Sequence, residues 1–445
     1  MFDLGPGTLT LILLLIVFVG VAVGFPVAFV LIGGTVFFLL VFIGPHTLPI
    51  VYFKLWKGIN TFVLVAIPLF IYMGVALERS GIADDLYGAI HKWFAGVPGG
   101  LAIGTIIMCA IFAACTGIVG ASVVTMGYVA LPSMLKRGYD KDLAVGSATG
   151  GATLGVLIPP SVPLIFIGLF GTTSIGGLFA GGIFSGLLVS GLMIIFVLIR
   201  CGFNPKLGPI VPNSERPSWS EKFQSLRGLI LPVILIVTVL GAIFTGAATP
   251  TEAASVGAVG SLICTAVHRK LTWPLMKEIT IRAFGITTFI MWIVLGAYAF
   301  QAGFGMAGGA MLAKTALIGL AEVNRWLPVV TSVSAIIILG TFMPAEIVVI
   351  ITAPTLFPLI RLLGFSDIWF GIIMVLSIMI GFLSPPFGYN LFYMKGILPE
   401  IDKSITMGMV YHSIVPYIVS LGLAIIIISI FPEIATWLPG ILFGT

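Results

Sequence analysis

Charge is what this sequence has least of. Of 445 residues only 8% are Asp, Glu, Lys or Arg, where a soluble globular domain carries about 25%. A water-facing surface of ordinary polarity cannot be built from so few, and 59% of the chain is hydrophobic. No basic run is long enough to track a phosphate backbone, so the formal net charge of +5 points to basic loops beside a membrane rather than to nucleic acid. Cysteine and histidine are scarce, four of each. Cys109, Cys115, Cys201 and Cys264 have no CxxC spacing and lie in or beside apolar runs, which argues against a disulfide framework or a thiolate metal cluster. His91, His268 and His412 show no metal-ligand spacing. Asp84 and Asp85 lie near Arg79 and Lys92 and read as a solvated charged face rather than a metal-dependent active site.

Apolar segments are abundant. A helix needs about 20 apolar residues to cross a bilayer, and the chain has room for ten or more such crossings. The expected class is an all-α integral membrane protein. The first run, 9–23, has no preceding basic residue and another apolar run follows at once, so it reads as a retained helix rather than a signal peptide.

Two interruptions stand out. "GVLIPPSVP" (155–163) and "GFLSPPFGY" (381–389) each place two adjacent prolines inside an apolar stretch. At the offset of 226 that superimposes them, Pro132 falls on Pro358, Gly138 on Gly364, Gly155 on Gly381, Leu157 on Leu383 and Phe166 on Phe392. The chain therefore reads as two copies: a first repeat over 1–200, a cytoplasmic linker over 201–227 and a second repeat over 228–445. The linker region holds Arg200, Lys206, Arg216, Lys222 and Arg227, and the positive-inside rule puts it in the cytoplasm. Threading outward, 98–135 is too long for one crossing and has the polar, glycine-rich middle "TGIVGAS" (116–122), as expected of a re-entrant hairpin. A span over 140–171 is broken at Pro159-Pro160. Spans at 228–246, 249–267 and 283–303 carry the chain to a second hairpin, 325–362, with its tip at "GTFMPAE" (340–346), and a second broken span, 367–396. The second copy then enters from the opposite face. Inverted repeats with broken helices meeting at the bilayer midplane are the architecture of secondary transporters.

Proline removes a backbone donor and its ring clashes with the preceding turn, so a Pro-Pro pair unwinds a helix and frees carbonyl oxygens. In hydrocarbon these are tolerated only where they line an enclosed cavity or meet a ligand. Freed carbonyls beside a hydroxyl suit a small hard cation such as Na+, and the amino-terminal ends of half-helices suit an anion. Two hairpin tips and two breaks can thus form two cation sites flanking one substrate site. Ser122, near the first tip, and Ser161 and Asn390, beside the breaks, are the candidate substrate contacts. No Arg or Lys is plainly placed to grip a carboxylate, which leaves the half-helix dipoles and a few side chains. Elsewhere, "TPTE" (249–252) is a helix start with Thr249 as cap and Glu252 closing a capping box. "GGAMLAKT" (308–315) approaches a phosphate-binding loop but has Ala313 where glycine is required.

The stretches "IPLFIYMGVALERSGIADDLY", "VPGGLA", "GASVVTMGYVALPSMLKRGYDK", "LGVLIPPSVPLIFIG", "TPTEAASVGA" and "IGFLSPPFGYNLFYMKG" together resemble the large membrane subunit of tripartite ATP-independent periplasmic (TRAP) transporters over nearly the whole chain. The resemblance implies a permease of the bacterial inner membrane that moves small organic acids by an elevator motion. It implies coupling to a Na+ gradient, with no cofactor beyond that ion, and two partners: a periplasmic substrate-binding protein and a separate four-helix membrane subunit. It implies a first cation site at Thr116, Gly117, Gly120, Gly155, Ile158 and Pro160, and a second at Gly340, Gly381, Ser384 and Phe387. Where many relatives have an acidic residue at the second tip, this chain has Pro344, with Glu346 two positions later. The alternatives are a stand-alone antiporter or anion carrier of the same superfamily, or a membrane-embedded enzyme, which would need an Asp, His or Glu cluster at one depth.

Overall fold

The computed structural model describes residues 4–117, 119–211 and 216–444, and none of these lies in a β-strand. Residues up to 203 contain α1 (Pro6–Ala22), α2 (Val27–Phe29), α3 (Thr35–Phe38), α4 (Leu48–Ile59), α5 (Ala66–Arg79), α6 (Ile82–Phe94), α7 (Gly100–Thr116), α8 (Val119–Lys136), α9 (Lys141–Ala152), α10 (Val162–Gly171) and α11 (Ile175–Phe203). It is followed by α12 (Trp219–Ser225), α13 (Ile230–Phe244), α14 (Pro250–Val267), α15 (Trp273–Met306), α16 (Gly309–Val323), α17 (Leu327–Phe342), α18 (Ala345–Leu362), α19 (Asp367–Leu383), α20 (Tyr389–Ile401), α21 (Met407–Ile430) and α22 (Glu433–Phe443). Among the described residues, six helices are long and apolar enough to cross a membrane by length and composition. An all-helical chain is what a lipid environment demands, because a helix satisfies its own backbone polar groups.

The offset of 226 carries over to the helices. It maps α8 onto the bounds of α18, and α7, α9, α10 and α11 onto α17, α19, α20 and α21 with only their ends shifted. Packing follows the same correspondence. α7 lies against α9 as α17 lies against α19, and α10 meets α18 as α20 meets α8. The second hairpin is thus seated against the first broken helix, and the first hairpin against the second.

Small residues permit this close crossing. Gly146 and Gly150 on α9 form a groove filled by the ring of Tyr417 from α21; a Cβ at Gly150 would come within 2.5 Å of that ring. Such small-residue faces are how helices approach where lipid removes the hydrophobic drive between them. Ion pairs close both ends of the bundle. Lys141 Nζ lies 2.8 Å from Asp402 Oδ2, and His412 Nδ1 2.6 Å from Asp142 Oδ2. Arg361 lies 2.8 Å from Asp367 Oδ2, and its Nη2 also donates to the Gly171 carbonyl.

Several elements differ from expectation. α4, α16 and α22 were not foreseen, since each is short or interrupted by proline or glycine. α15 begins at Trp273, ten residues before the expected span, because Thr272 caps it and Pro274 stands in its first turn. The "TPTE" expectation holds: Thr249 and Glu252 form a capping box at the start of α14. "GGAMLAKT" leads into α16 from a left-handed Gly308, with no strand before it. Cys109, Cys201 and Cys264 are free and buried. The side chains of Asp84, Asp85, His91 and Cys115 lie outside the described residues.

Candidate functional site

Both proline pairs interrupt their helices. α9 ends at Ala152, tightens into the 3-10 turn Thr153–Val156, and helix resumes only at Val162. α19 ends at Leu383 and α20 begins at Tyr389. In the first hairpin helix ends at Thr116 and is present again from Val119; in the second it ends at Phe342 and resumes at Ala345. At the first tip Gly117 is left-handed, with φ of +61°. A Cβ there would lie 2.8 Å from the Pro160 carbonyl oxygen, so this tip and this break are in backbone contact. At the second, a Cβ on Gly381 would lie 2.6 Å from the Ile337 carbonyl oxygen and 2.9 Å from Gly340 Cα. The Gly388 N–H also donates to the Thr341 carbonyl at 3.1 Å. The two expected pairings, Gly117 with Pro160 and Gly340 with Gly381, are therefore brought together, each by a glycine that admits main chain to main chain.

The other candidates divide. Ser161 is fully buried and its hydroxyl donates to the Val156 carbonyl at 2.6 Å; Ser384 does the same to the Ile380 carbonyl at 2.8 Å. Two of the carbonyls expected to be bare are thus capped by the adjacent serine, whose own oxygen keeps its lone pairs as acceptors. Gly155 is buried in the 3-10 turn. The Ile158 side chain points away, against Gly186 on α11, leaving only its main chain to serve a site. Phe387 is half exposed, with its ring 5.1 Å from Phe342 and 5.9 Å from Phe392 between centroids. Gly120 faces the Tyr393 ring on α20 rather than the first break. Ser122 is buried on α8. The Thr116 side chain lies outside the described residues. Asn390 is fully buried, and neither its Nδ2 nor its Oδ1 has a hydrogen-bond partner among the described residues. Leaving a buried amide unpaired costs about 1–3 kcal/mol per group.

Tips and breaks surround a cavity of about 370 Å³. Its wall includes first-turn residues of four helices: Val119 and Gly120 of α8, Pro163 of α10, Ala345 and Glu346 of α18, and Tyr389 of α20. Their converging amino-terminal dipoles make the interior favourable to negative charge. Arg282, which sequence reasoning did not place, also lines the cavity. Its Nη2 is 3.6 Å from Glu78 Oε1, and Arg79 Nη1 is 3.3 Å from Glu278 Oε1. The signal was the Thr-Trp-Pro helix start at 272–274, which lengthens α15 and carries Arg282 into the bundle. Among the described residues no group of three or more His, Cys, Asp or Glu could hold a metal ion.

Residues 14–434 match the family described as the DctM component of the tripartite ATP-independent periplasmic transporter. The C4-dicarboxylate TRAP transporter large permease protein DctM of Pseudomonas aeruginosa is 29% identical over 389 residues, covering 87% of this chain and 88% of that protein. The ectoine/5-hydroxyectoine TRAP transporter large permease protein UehC of Ruegeria pomeroyi is 29% identical over 442 residues, covering 98% of each. The isethionate TRAP transporter permease protein DctMQ of Oleidesulfovibrio alaskensis is 30% identical over 378 residues, covering 84% of this chain and 58% of that one. In fold, the chain is similar to the crystal structure of the YdaH transporter of Alcanivorax borkumensis, with a TM-score of 0.64 at 16% identity over 98% of both chains. The chain belongs to the DctM family: it is the large, multi-pass membrane permease of a TRAP transporter, and not an enzyme.

Proposed function

We propose that this permease imports small organic acid anions across the bacterial inner membrane, drawing on a Na+ gradient and receiving its substrate from a periplasmic binding protein. A small four-helix membrane subunit completes the complex. Residues 1–200 and 228–445 are inverted copies joined by a cytoplasmic linker, 201–227, and the hairpins and broken helices form one body that slides against a scaffold of the remaining spans.

The observation that carries this reading is the pairing of each hairpin tip with a proline break through glycine, Gly117 with Pro160 and Gly340 with Gly381, in both halves of the chain though at different residues of each. Main-chain and hydroxyl oxygens are the donors a hard cation takes. At the first pairing these would come from Gly117, Gly155, Ile158 and Pro160, and at the second from Gly340, Gly381, Ser384 and Phe387. Na+ supplies positive charge at the floor of the anion-attracting cavity, so ion and substrate favour each other's binding. Asn390, buried just after the second break, supplies a neutral donor and acceptor there. The crossed packing of α10 with α18 and α20 with α8 supports a single moving body, because neither hairpin can shift without the opposite broken helix.

The test is uptake into liposomes carrying the permease, the small subunit and an added binding protein. Uptake that requires an inward Na+ gradient and the binding protein, and that weakens in Ser384→Ala and Pro160→Ala, supports the proposal. Uptake indifferent to Na+ or to the binding protein refutes it in favour of a stand-alone carrier.

A further inference from the structure

The cavity that admits an anion also has an acid of its own in its wall. Glu346 lines it from the first turn of α18. Among the described residues its carboxylate makes no ion pair, while the ion pairs present use other acids. Position within the first turn offsets part of the cost of ionising a carboxyl in this wall, and a cation seated beside it would offset more. A dianionic substrate would instead bring negative charge against it.

The wall beside Glu346 is aromatic. Phe382, Tyr389, Tyr393 and Phe289 all line the cavity. Phe382 and Tyr389 are 5.4 Å apart between ring centroids, and Tyr389 and Tyr393 5.2 Å apart with planes at 81°, so three rings form a corner. The two tyrosine hydroxyls are joined at 3.0 Å. Ring faces at right angles with a nearby carboxylate attract an organic cation through both the ring quadrupole and the charge. Arg282, the one basic residue on the cavity wall, stands on α15, a different element from Glu346.

We propose that the substrate carries a cationic nitrogen as well as a carboxylate, with Glu346 and the Phe382, Tyr389 and Tyr393 rings taking the nitrogen, and Arg282 and the helix amino termini taking the carboxylate. This deepens the transport reading above and rests on it. The site selects a zwitterion over a dicarboxylate by opposite charge at one end and like-charge repulsion at the other.

The experiment is ligand-induced thermal stabilisation of the purified permease with its small subunit, using 4-aminobutyrate and its trimethylated form against glutarate, a dianion of similar length. Wild-type protein binds at least one zwitterion roughly tenfold more tightly than glutarate, the ratio that one well-formed cation contact gives. Glu346→Gln lowers that ratio at least tenfold, while Glu346→Asp keeps its sign. Preference of the wild type for glutarate overturns the proposal, as does a ratio unchanged in Glu346→Gln. A Glu346→Gln protein that alters only the response of uptake to a proton gradient also overturns it, making Glu346 a proton carrier. If neither class binds and uptake ignores the binding protein, the transport reading itself falls.

Discussion

Replacing Gly381 by alanine tests the second tip and break more sharply than any side-chain deletion. The added methyl would sit 2.6 Å from the Ile337 carbonyl oxygen, 2.8 Å from the Gly340 carbonyl carbon and 2.9 Å from Gly340 Cα. All three are backbone atoms of α17, so none can rotate aside, and the two helices must separate by several tenths of an ångström. Overpacking of this kind costs about 1–3 kcal/mol. If Na+ sits between these elements, the same separation pulls its oxygens apart, and 1.4 kcal/mol lost from the ion's binding is a tenfold fall in affinity. Gly319→Ala in α16 is one control, since a methyl there meets nothing within 4 Å and lies outside the proposed site. Gly396, with nothing within 4 Å, controls for alanine in α20. Thermal unfolding of each variant is followed while Na+ is titrated against choline. We expect Gly381→Ala to unfold at lower temperature and to need about ten times more Na+ for the same stabilisation, with the two controls near wild type. A Gly381→Ala protein with unchanged Na+ response would refute the placement of the ion at this contact.

Two further predictions concern charge. Arg282→Gln should raise the KM for uptake roughly tenfold or more with little change in kcat, whereas Arg282→Lys should recover part of the loss because charge remains but the planar fork does not; an unchanged KM in Arg282→Gln would remove this residue from the substrate's path. At the bundle end, the Lys141 ammonium, helped by Ser404, holds the Asp402 carboxyl well below the usual carboxylate range. A depressed folded-state value contributes stability that is complete above the ordinary pKa of about 3.9 and is lost as pH falls below it. The unfolding midpoint of wild type relative to Asp402→Asn should therefore be constant from neutral pH to about 4 and converge in stronger acid; a difference that grows with acidity would contradict the pairing.

The helical architecture and both interruptions were legible because proline in an apolar run has few meanings, and the offset of 226 recurs in the helix bounds. The pairings of Gly117 with Pro160 and of Gly340 with Gly381 came from the family resemblance, and the structure supplies the physical reason for the contacts: glycine there lets two main chains touch. What escaped was geometry that depends on where a helix begins. Arg282 was set outside its helix because the Thr272 cap went unrecognised, and with it went the cation of the cavity. Glu346 was read as a departure at the second tip, while the fold turns it into the wall of the central cavity. Ser161 was a candidate substrate contact and Ser384 a candidate cation ligand; each hydroxyl also donates to a carbonyl of its own break, a local bond that spacing alone does not reveal. The resemblance put Gly120 at the first cation site; that its Cα faces the ring of Tyr393, from the other half of the chain, is a long-range packing contact the sequence does not reveal.

Backbone hydrogen exchange of the purified complex in Na+ and in choline addresses the central claim without knowledge of the substrate. Two segment pairs matter: 116–122 with 155–162, and 340–346 with 381–388. If an ion bridges each tip to its break, exchange in all four segments slows in Na+ and not in choline, while α1 and α22 are unaffected. Identical exchange in the two salts at both pairs would contradict the account.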